Sequence, residues 1–433
     1  MTGRDDLRAA TPSRPRAVHL QLAAAISAFG SRVTDLALPL TALLVLDASP
    51  LQVGVLTSAS LAPSLVLGVP AGAWVERMRP KRLMVVCDAV RAAAIASVPV
   101  AAALAVLSYA HLLVVALVVG SFTVLADIAA AAYLPRLVGL DALVAARSRL
   151  TAGVQLADVA GRPLGGLLVS TLGAARATAA DALTYLLSMA LLWRLPEMAP
   201  TSAPGTTDTF RARLRSGAAF AWRNRINRRI TIEAAHYNLF YQALVVVFLV
   251  HASDDLGWSG TQLGLAFGAS SLGAVLGSTL APRLSRRWGI GPVIVRSLLI
   301  ADAATLLLPV VLDDGNGAVV LVSATFVLIG AGSLVSGVLA GSLNRMVTPE
   351  DLYARVIGAN KVLTRGGTAF GGLLGGVLVS WLPPQTALVA CTVGMCSAMG
   401  WVLTRRITSV HTVADAQASI GSPVAPAASA PPQ

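Results

Sequence analysis

Long runs without charge constrain this chain more than any other feature: residues 36–46, 98–107, 112–126 and 318–343 contain no Asp, Glu, Lys or Arg. In water such runs have no reason to exist. A helix needs about 20 predominantly apolar residues to cross the hydrocarbon core, and hydrocarbon offers no partner to a free backbone N–H or C=O, so a lipid-exposed chain must be a helix or a closed barrel. A soluble chain is about a quarter charged; here 12% of residues are charged, 55% are hydrophobic and the mean hydropathy is +0.72. Counting apolar stretches of helical length between residues 18 and 404 gives about twelve spans. The expected fold class is an all-α membrane protein of about twelve transmembrane helices.

The net charge of +12 would suggest nucleic acid if the arginines formed one basic face. They lie instead in the connections between apolar runs, and no nucleic-acid partner is expected. With the amino terminus inside, the cytoplasmic connections collect almost all the cations, including Arg77, Arg79, Lys81 and Arg82, whereas the opposite connections hold Arg176 alone. By the positive-inside rule both termini are cytoplasmic. Arginine far outnumbers lysine and Ala and Gly abound, which points to a GC-rich coding sequence and a bacterial inner membrane. Cys87, Cys391 and Cys396 fall within apolar segments and read as small buried residues, not as a disulfide framework.

A constant offset of 210 residues aligns the two halves without gaps. Gln52 and Gly54 fall on Gln262 and Gly264, Ala59 and Ser60 on Ala269 and Ser270, and Arg77 on Arg287. Asp141 falls on Asp351, Gly161 on Gly371, Gly165 and Gly166 on Gly375 and Gly376, and 168–170 on 378–380. The expected organisation is a cytoplasmic arm (1–17), an N-terminal six-helix bundle (18–195), a basic cytoplasmic linker (196–229), a C-terminal six-helix bundle (230–407) and a disordered tail (408–433) rich in Ala, Pro and Ser.

After the second span the sequence reads Gly72-Ala73-Trp74-Val75-Glu76-Arg77-Met78-Arg79-Pro80-Lys81-Arg82. This resembles the loop signature Gly-x-x-x-Asp-Arg-x-Gly-x-Arg-Arg of the major facilitator superfamily, with Glu76 at the Asp position and Arg79 at the Gly position. The stretches 31–39, 88–91, 134–138 and 349–352 are similar to those of a bacterial exporter branch that includes the enterobactin exporter and macrolide efflux proteins. Residues 161–166, Gly-Arg-Pro-Leu-Gly-Gly, resemble an element that antiporters carry in the fifth helix, Arg162 replacing its proline. The resemblance implies two bundles of major facilitator type that alternate access to a central cavity lined by the first helix. It also gives the loop residues Gly72, Glu76, Arg77, Lys81 and Arg82 the part of a conformational latch, with Asp127 holding the cations from its own bundle.

Glycines spaced by four, Gly161 with Gly165 and Gly371 with Gly375, and the adjacent Gly166, read as helix-contact stripes, because small residues let membrane helices approach. No glycine-rich loop is followed by the Lys-Ser or Lys-Thr of a nucleotide site, so ATP hydrolysis is not expected as the energy source. Ionisable groups within spans are the functional clues, each costing several kcal/mol at mid-membrane unless paired or wetted. They include Arg32 and Asp35, Asp88 and Arg91, Asp127, Asp158 and Arg162, Asp181, Glu233, and Arg296 and Asp302. Arg32 with Asp35, Asp88 with Arg91, and Asp158 with Arg162 have the helical spacing of an ion pair on one face. Arg32, Asp35, Asp158, Arg162 and Asp127 are the candidates for proton or substrate handling.

The expected function is export of a small amphipathic molecule, a drug, siderophore or metabolite, by a monomeric proton antiporter in the lipid bilayer. Nutrient uptake and a non-transporting scaffold or sensor are the alternatives. No nucleophile–base constellation or metal-ligand cluster occurs, so an enzyme, a cofactor and a metal site are not expected.

Overall fold

The computed structural model describes residues 14–67, 75, 78–199, 219–220, 222–310 and 315–410. Its long elements are all helical: α1 (Arg14–Leu46), α2 (Pro50–Leu67), α3 (Pro80–Ala103), α4 (Tyr109–Gly139), α5 (140–172), α6 (Ala174–Trp193), α7 (Arg225–Val250), α8 (Gly260–Trp288), α9 (Ile290–Thr305), α10 (Asn316–Met346), α11 (Glu350–Trp381) and α12 (Pro384–Ala398). Among the described residues eight of these are long and apolar enough to cross a bilayer by themselves. Two of the others are short, α9 with 16 residues and α12 with 15. A short 3₁₀ turn (Leu308–Val310) follows α9 and another (Met399–Trp401) follows α12, breaking the α-helix.

Residues 133–149 continue the helix from α4 into α5, interrupted at Gly139. Ala, Leu and Arg dominate this stretch and favour helix. Gly139 takes φ +75°, which a side chain rarely adopts, and so turns the chain without a loop.

The repeat reappears as matching local chemistry. Ser49 caps α2 and Ser259 caps α8, each in a capping box: the serine backbone N–H donates to the glutamine Oε1 of Gln52 or Gln262 at 2.8 Å, and its hydroxyl accepts from that glutamine's backbone N–H. Within the first half α1 packs on α5 and α6; within the second, α7 packs on α11 and α8 on α10. A cluster of Phe248, Trp258, Phe267 and Phe326, ring centroids 5.2–6.0 Å apart, fills the second half near the α7–α8 connection. Outward faces expose Leu104, Trp193, Val320 and Trp381, an apolar girdle that a bilayer covers.

The arm before residue 14, most of the linker, the tail after 410, and Gly72, Glu76 and Arg77 lie outside the described residues.

Candidate functional site

Two helix crossings join the halves at one end of the molecule. At the first, α2 meets α11: a Cβ added at Gly54 would lie 2.5 Å from the Gly372 carbonyl oxygen and 2.8 Å from the Gly376 Cα. At the second, α5 meets α8: a Cβ at Gly264 would lie 2.6 Å from the Arg162 carbonyl oxygen and 2.7 Å from the Gly166 Cα. The 210-residue offset carries Gly54 onto Gly264 and Gly166 onto Gly376, so the crossings are two copies of one contact. Beside the second, the Thr261 backbone N–H donates to the Ser170 hydroxyl at 2.7 Å. Backbone against backbone at both places closes this end.

The other stripe glycines pack helices within each half. Gly161 and Gly165 face α1 at Arg32 and Val33; Gly371 and Gly375 face α7 at Leu239 and Ala243.

Below the closed end lies a cavity of about 420 Å³, between α5 of the first half and α7, α8, α9 and α10 of the second. Its polar lining includes Asp158, Arg162, Glu233, Tyr237, Ser270 and Ser333. Tyr237 and Tyr241 stack with centroids 6.0 Å apart, and the Tyr237 hydroxyl shares a 2.6 Å hydrogen bond with that of Ser333.

The acid–base pairs do not all follow helical spacing. Arg32 donates to Asp35 at 2.6 Å on its own helix and to Asp158 on α5 at 2.5 Å. Arg162 leaves Asp158 and crosses to the second half, its Nη1 donating to the Ser270 hydroxyl (3.0 Å), the Ser271 hydroxyl (3.3 Å) and the Phe267 carbonyl (3.3 Å). Close approach is the physical reason: Gly161 brings α1 against α5, so Arg32 reaches Asp158, while Gly166 brings α8 within reach of Arg162. Three of the sequence candidates, Arg32, Asp35 and Asp158, thus form one bridge, and Arg162 joins the two halves.

Asp127 is exposed, and the cations that bear on it are Arg365, Arg91 and Lys361. Among the described residues it makes no ion pair with Lys81. Arg82 instead donates to Glu197 at 3.1 Å, with Arg79 at 3.8 Å, tying the basic loop to the start of the linker. Glu197 was missed from sequence because nothing local marks it as the loop's partner.

Asp88 and Arg91 pair in the interior of the first half, with the guanidinium 4.4 Å over the Tyr185 ring. Asp181, fully buried, accepts from the Thr34 hydroxyl at 2.5 Å and from the Thr184 hydroxyl at 3.2 Å. Glu233 contrasts with these: it lines the cavity, is 6% exposed, and takes no hydrogen bond or ion pair among the described residues. Arg229, one turn before it on α7, makes no ion pair with it.

Over residues 12–427 the chain matches the family model described as transmembrane secretion effector. Among solved structures it is similar to the nucleoside transporter NupG, with TM-score 0.72 at 13% identity, covering 90% of this chain and 99% of that one. It is likewise similar to a bacterial homologue of the human lysosomal transporter Spinster in an inward-facing and occupied conformation, with TM-score 0.71 at 13% identity over 94% and 99% of the two chains. These likenesses establish the major facilitator fold, two six-helix bundles of membrane helices. No curated protein matches the chain.

Proposed function

We propose that this chain, which belongs to the transmembrane secretion effector family of major facilitator type, exports a small amphipathic molecule in exchange for protons. Membrane transport of major facilitator type is the premise; direction, cargo and coupling are the proposal. The observation that carries it is the cavity of about 420 Å³ between the halves, closed at one end by two matched glycine crossings. A cavity covered on one side and flanked by two copies of one contact is the arrangement that a rocking motion of two halves exchanges between faces.

The lining supports an amphipathic cargo. Stacked Tyr237 and Tyr241 offer apolar faces, Ser270, Ser271 and Ser333 offer hydroxyls, and Arg162 offers a cation without a carboxylate partner among the described residues. Arg32, Asp35 and Asp158 tie α1 to α5 and move as one unit beside the cargo. Asp127 with the loop residues Gly72, Glu76, Arg77, Lys81 and Arg82 forms the latch that shuts the opposite end. The resemblance to the enterobactin-exporter and macrolide-efflux branch supports export, and the basic connections support cytoplasmic termini in a bacterial inner membrane. The working unit is a monomer.

Everted membrane vesicles with an acidic lumen test this reading with a panel of amphipathic antibiotics, siderophores and dyes. A transported compound accumulates inside and raises the lumenal pH as protons leave. Accumulation in right-side-out vesicles instead assigns uptake; binding without movement in either orientation assigns a scaffold or sensor.

A further inference from the structure

We propose that Glu233 on α7, backed by Asp302 on α9, is the site that holds the coupling proton, and that the Arg32–Asp35–Asp158 bridge is not. The proposal rests on the antiport reading and names the group that reading requires.

Carboxylates of the first half's interior are compensated where they sit. Asp35 and Asp158 share Arg32, Asp88 has Arg91 on its Oδ1 although its Oδ2 has no donor, and Asp181 takes two threonine hydroxyls. The second half inverts this pattern. Among the described residues, Glu233 is 6% exposed and faces the cavity without a partner, and Asp302 is 1% exposed with its Oδ1 lacking any donor. Asp302 lies within electrostatic reach of both Glu233 and Tyr237.

Among the described residues no other charge satisfies the pair. On α7 itself, Arg229 makes no ion pair with Glu233, and His236 turns to the end of α12 and the 3₁₀ turn after it, where it meets the Ser397 hydroxyl at 3.1 Å and the Trp401 indole N–H at 3.3 Å. From α12 the titratable group near Asp302 is Cys396, a thiol. Across the cavity on α5, Asp158 is held by Arg32 and Arg162 by the α8 serines. Lys361 and Arg365 of α11 bear on Asp127, while Arg296 of α9 lies over Trp288.

Ionising a carboxylate in a membrane interior costs several kcal/mol even after relaxation. A second like charge within reach, with no cation between, adds repulsion that one retained proton removes. Two carboxyls sharing a poorly hydrated place therefore keep a proton. Glu233 exchanges it, because it faces the cavity; Asp302, outside the cavity lining, keeps the proton from being lost cheaply. In the bridge, by contrast, Arg32 already stabilises both anions, and nothing is gained by a proton there.

Two measurements on the full chain test this without any cargo. Dicyclohexylcarbodiimide, an apolar reagent that modifies protonated carboxyls, is expected to give an adduct at Glu233 by mass spectrometry near neutral pH, fading as pH rises. Asp302→Asn slows that labelling at neutral pH, and Asp35 and Asp158 stay unmodified. Spin labels at Leu172 and Trp381, exposed at the closed end of α5 and α11, report opening. The wild-type distance distribution shifts with pH, and Glu233→Gln, which keeps shape and removes the proton site, abolishes the shift while melting like the wild type. Labelling at Asp35 or Asp158 in place of Glu233 overturns the proposal, as does a Glu233→Gln protein that keeps the wild-type pH response. If Glu233→Gln fails to fold, Glu233→Asp must retain both labelling and pH response for the assignment to stand. The two failures are distinguishable: loss of the Glu233 labelling and pH response leaves antiport standing with another carboxyl as its site, whereas transport without proton exchange in the vesicles removes the coupling role even from a labelled Glu233.

Discussion

Adding one methyl group at Gly264 sets the strength of the closed end against a measurable quantity. The new Cβ would lie 2.6 Å from the Arg162 carbonyl oxygen and 2.7 Å from the Gly166 Cα, all backbone atoms that cannot rotate away. Carbon–carbon contact is comfortable at about 3.5–4.0 Å, so α5 and α8 must separate by about 1 Å. Overpacking of this kind costs about 1–3 kcal/mol, and a cost borne only by the closed arrangement shifts the equilibrium towards opening by about 5–150-fold. Gly54→Ala repeats the perturbation at the other crossing, where the Cβ would lie 2.5 Å from the Gly372 carbonyl oxygen. Gly341→Ala on α10 is the control, since its Cβ would meet nothing within 4 Å. The assay is double electron–electron resonance between labels at Leu172 and Trp381, on a background with the exposed Cys396 replaced by serine. Both Gly54→Ala and Gly264→Ala are expected to raise the long-distance population, and Gly341→Ala to leave it unchanged. Distributions superimposable on the wild type in both crossing variants, at normal folded yield, would refute the view that these glycines hold that end shut.

Asp88→Ala strands the Arg91 guanidinium in the first half's interior and is expected to cost about 3–5 kcal/mol, read as a lower thermal midpoint; Asp88→Leu with Arg91→Met recovers most of the loss. Arg32→Gln removes the shared partner of Asp35 and Asp158, so folded yield falls, and the Arg32→Gln, Asp35→Asn, Asp158→Asn triple variant regains it. Glu197→Ala frees Arg79 and Arg82 of a half-exposed partner and changes stability by less than about 1 kcal/mol, as surface pairs do. Cysteines at Gly205 and Asp254 are labelled from opposite sides of the membrane in intact cells; labelling of both by an impermeant reagent contradicts the orientation.

Much of the architecture is legible in the sequence because a bilayer leaves few solutions. Apolar runs of helical length must be helices, and the 210-residue offset already pairs Gly54 with Gly264 and Gly166 with Gly376. The capping boxes at Ser49 and Ser259 are local and equally readable. Ion-pair partners are different, since a long arginine chooses among every helix within reach. Spacing along one helix assigns Arg162 to Asp158 and says nothing of a partner for Glu233; the packing gives Asp158 to Arg32, sends Arg162 to the α8 serines and leaves Glu233 facing a cavity. Residue order therefore determined the solvent, the helices and their twofold repeat. Which charges are compensated, and which cavity carboxylate has no partner among the described residues, was decided by how closely glycines let non-neighbouring helices approach, a distance set only when both halves are packed.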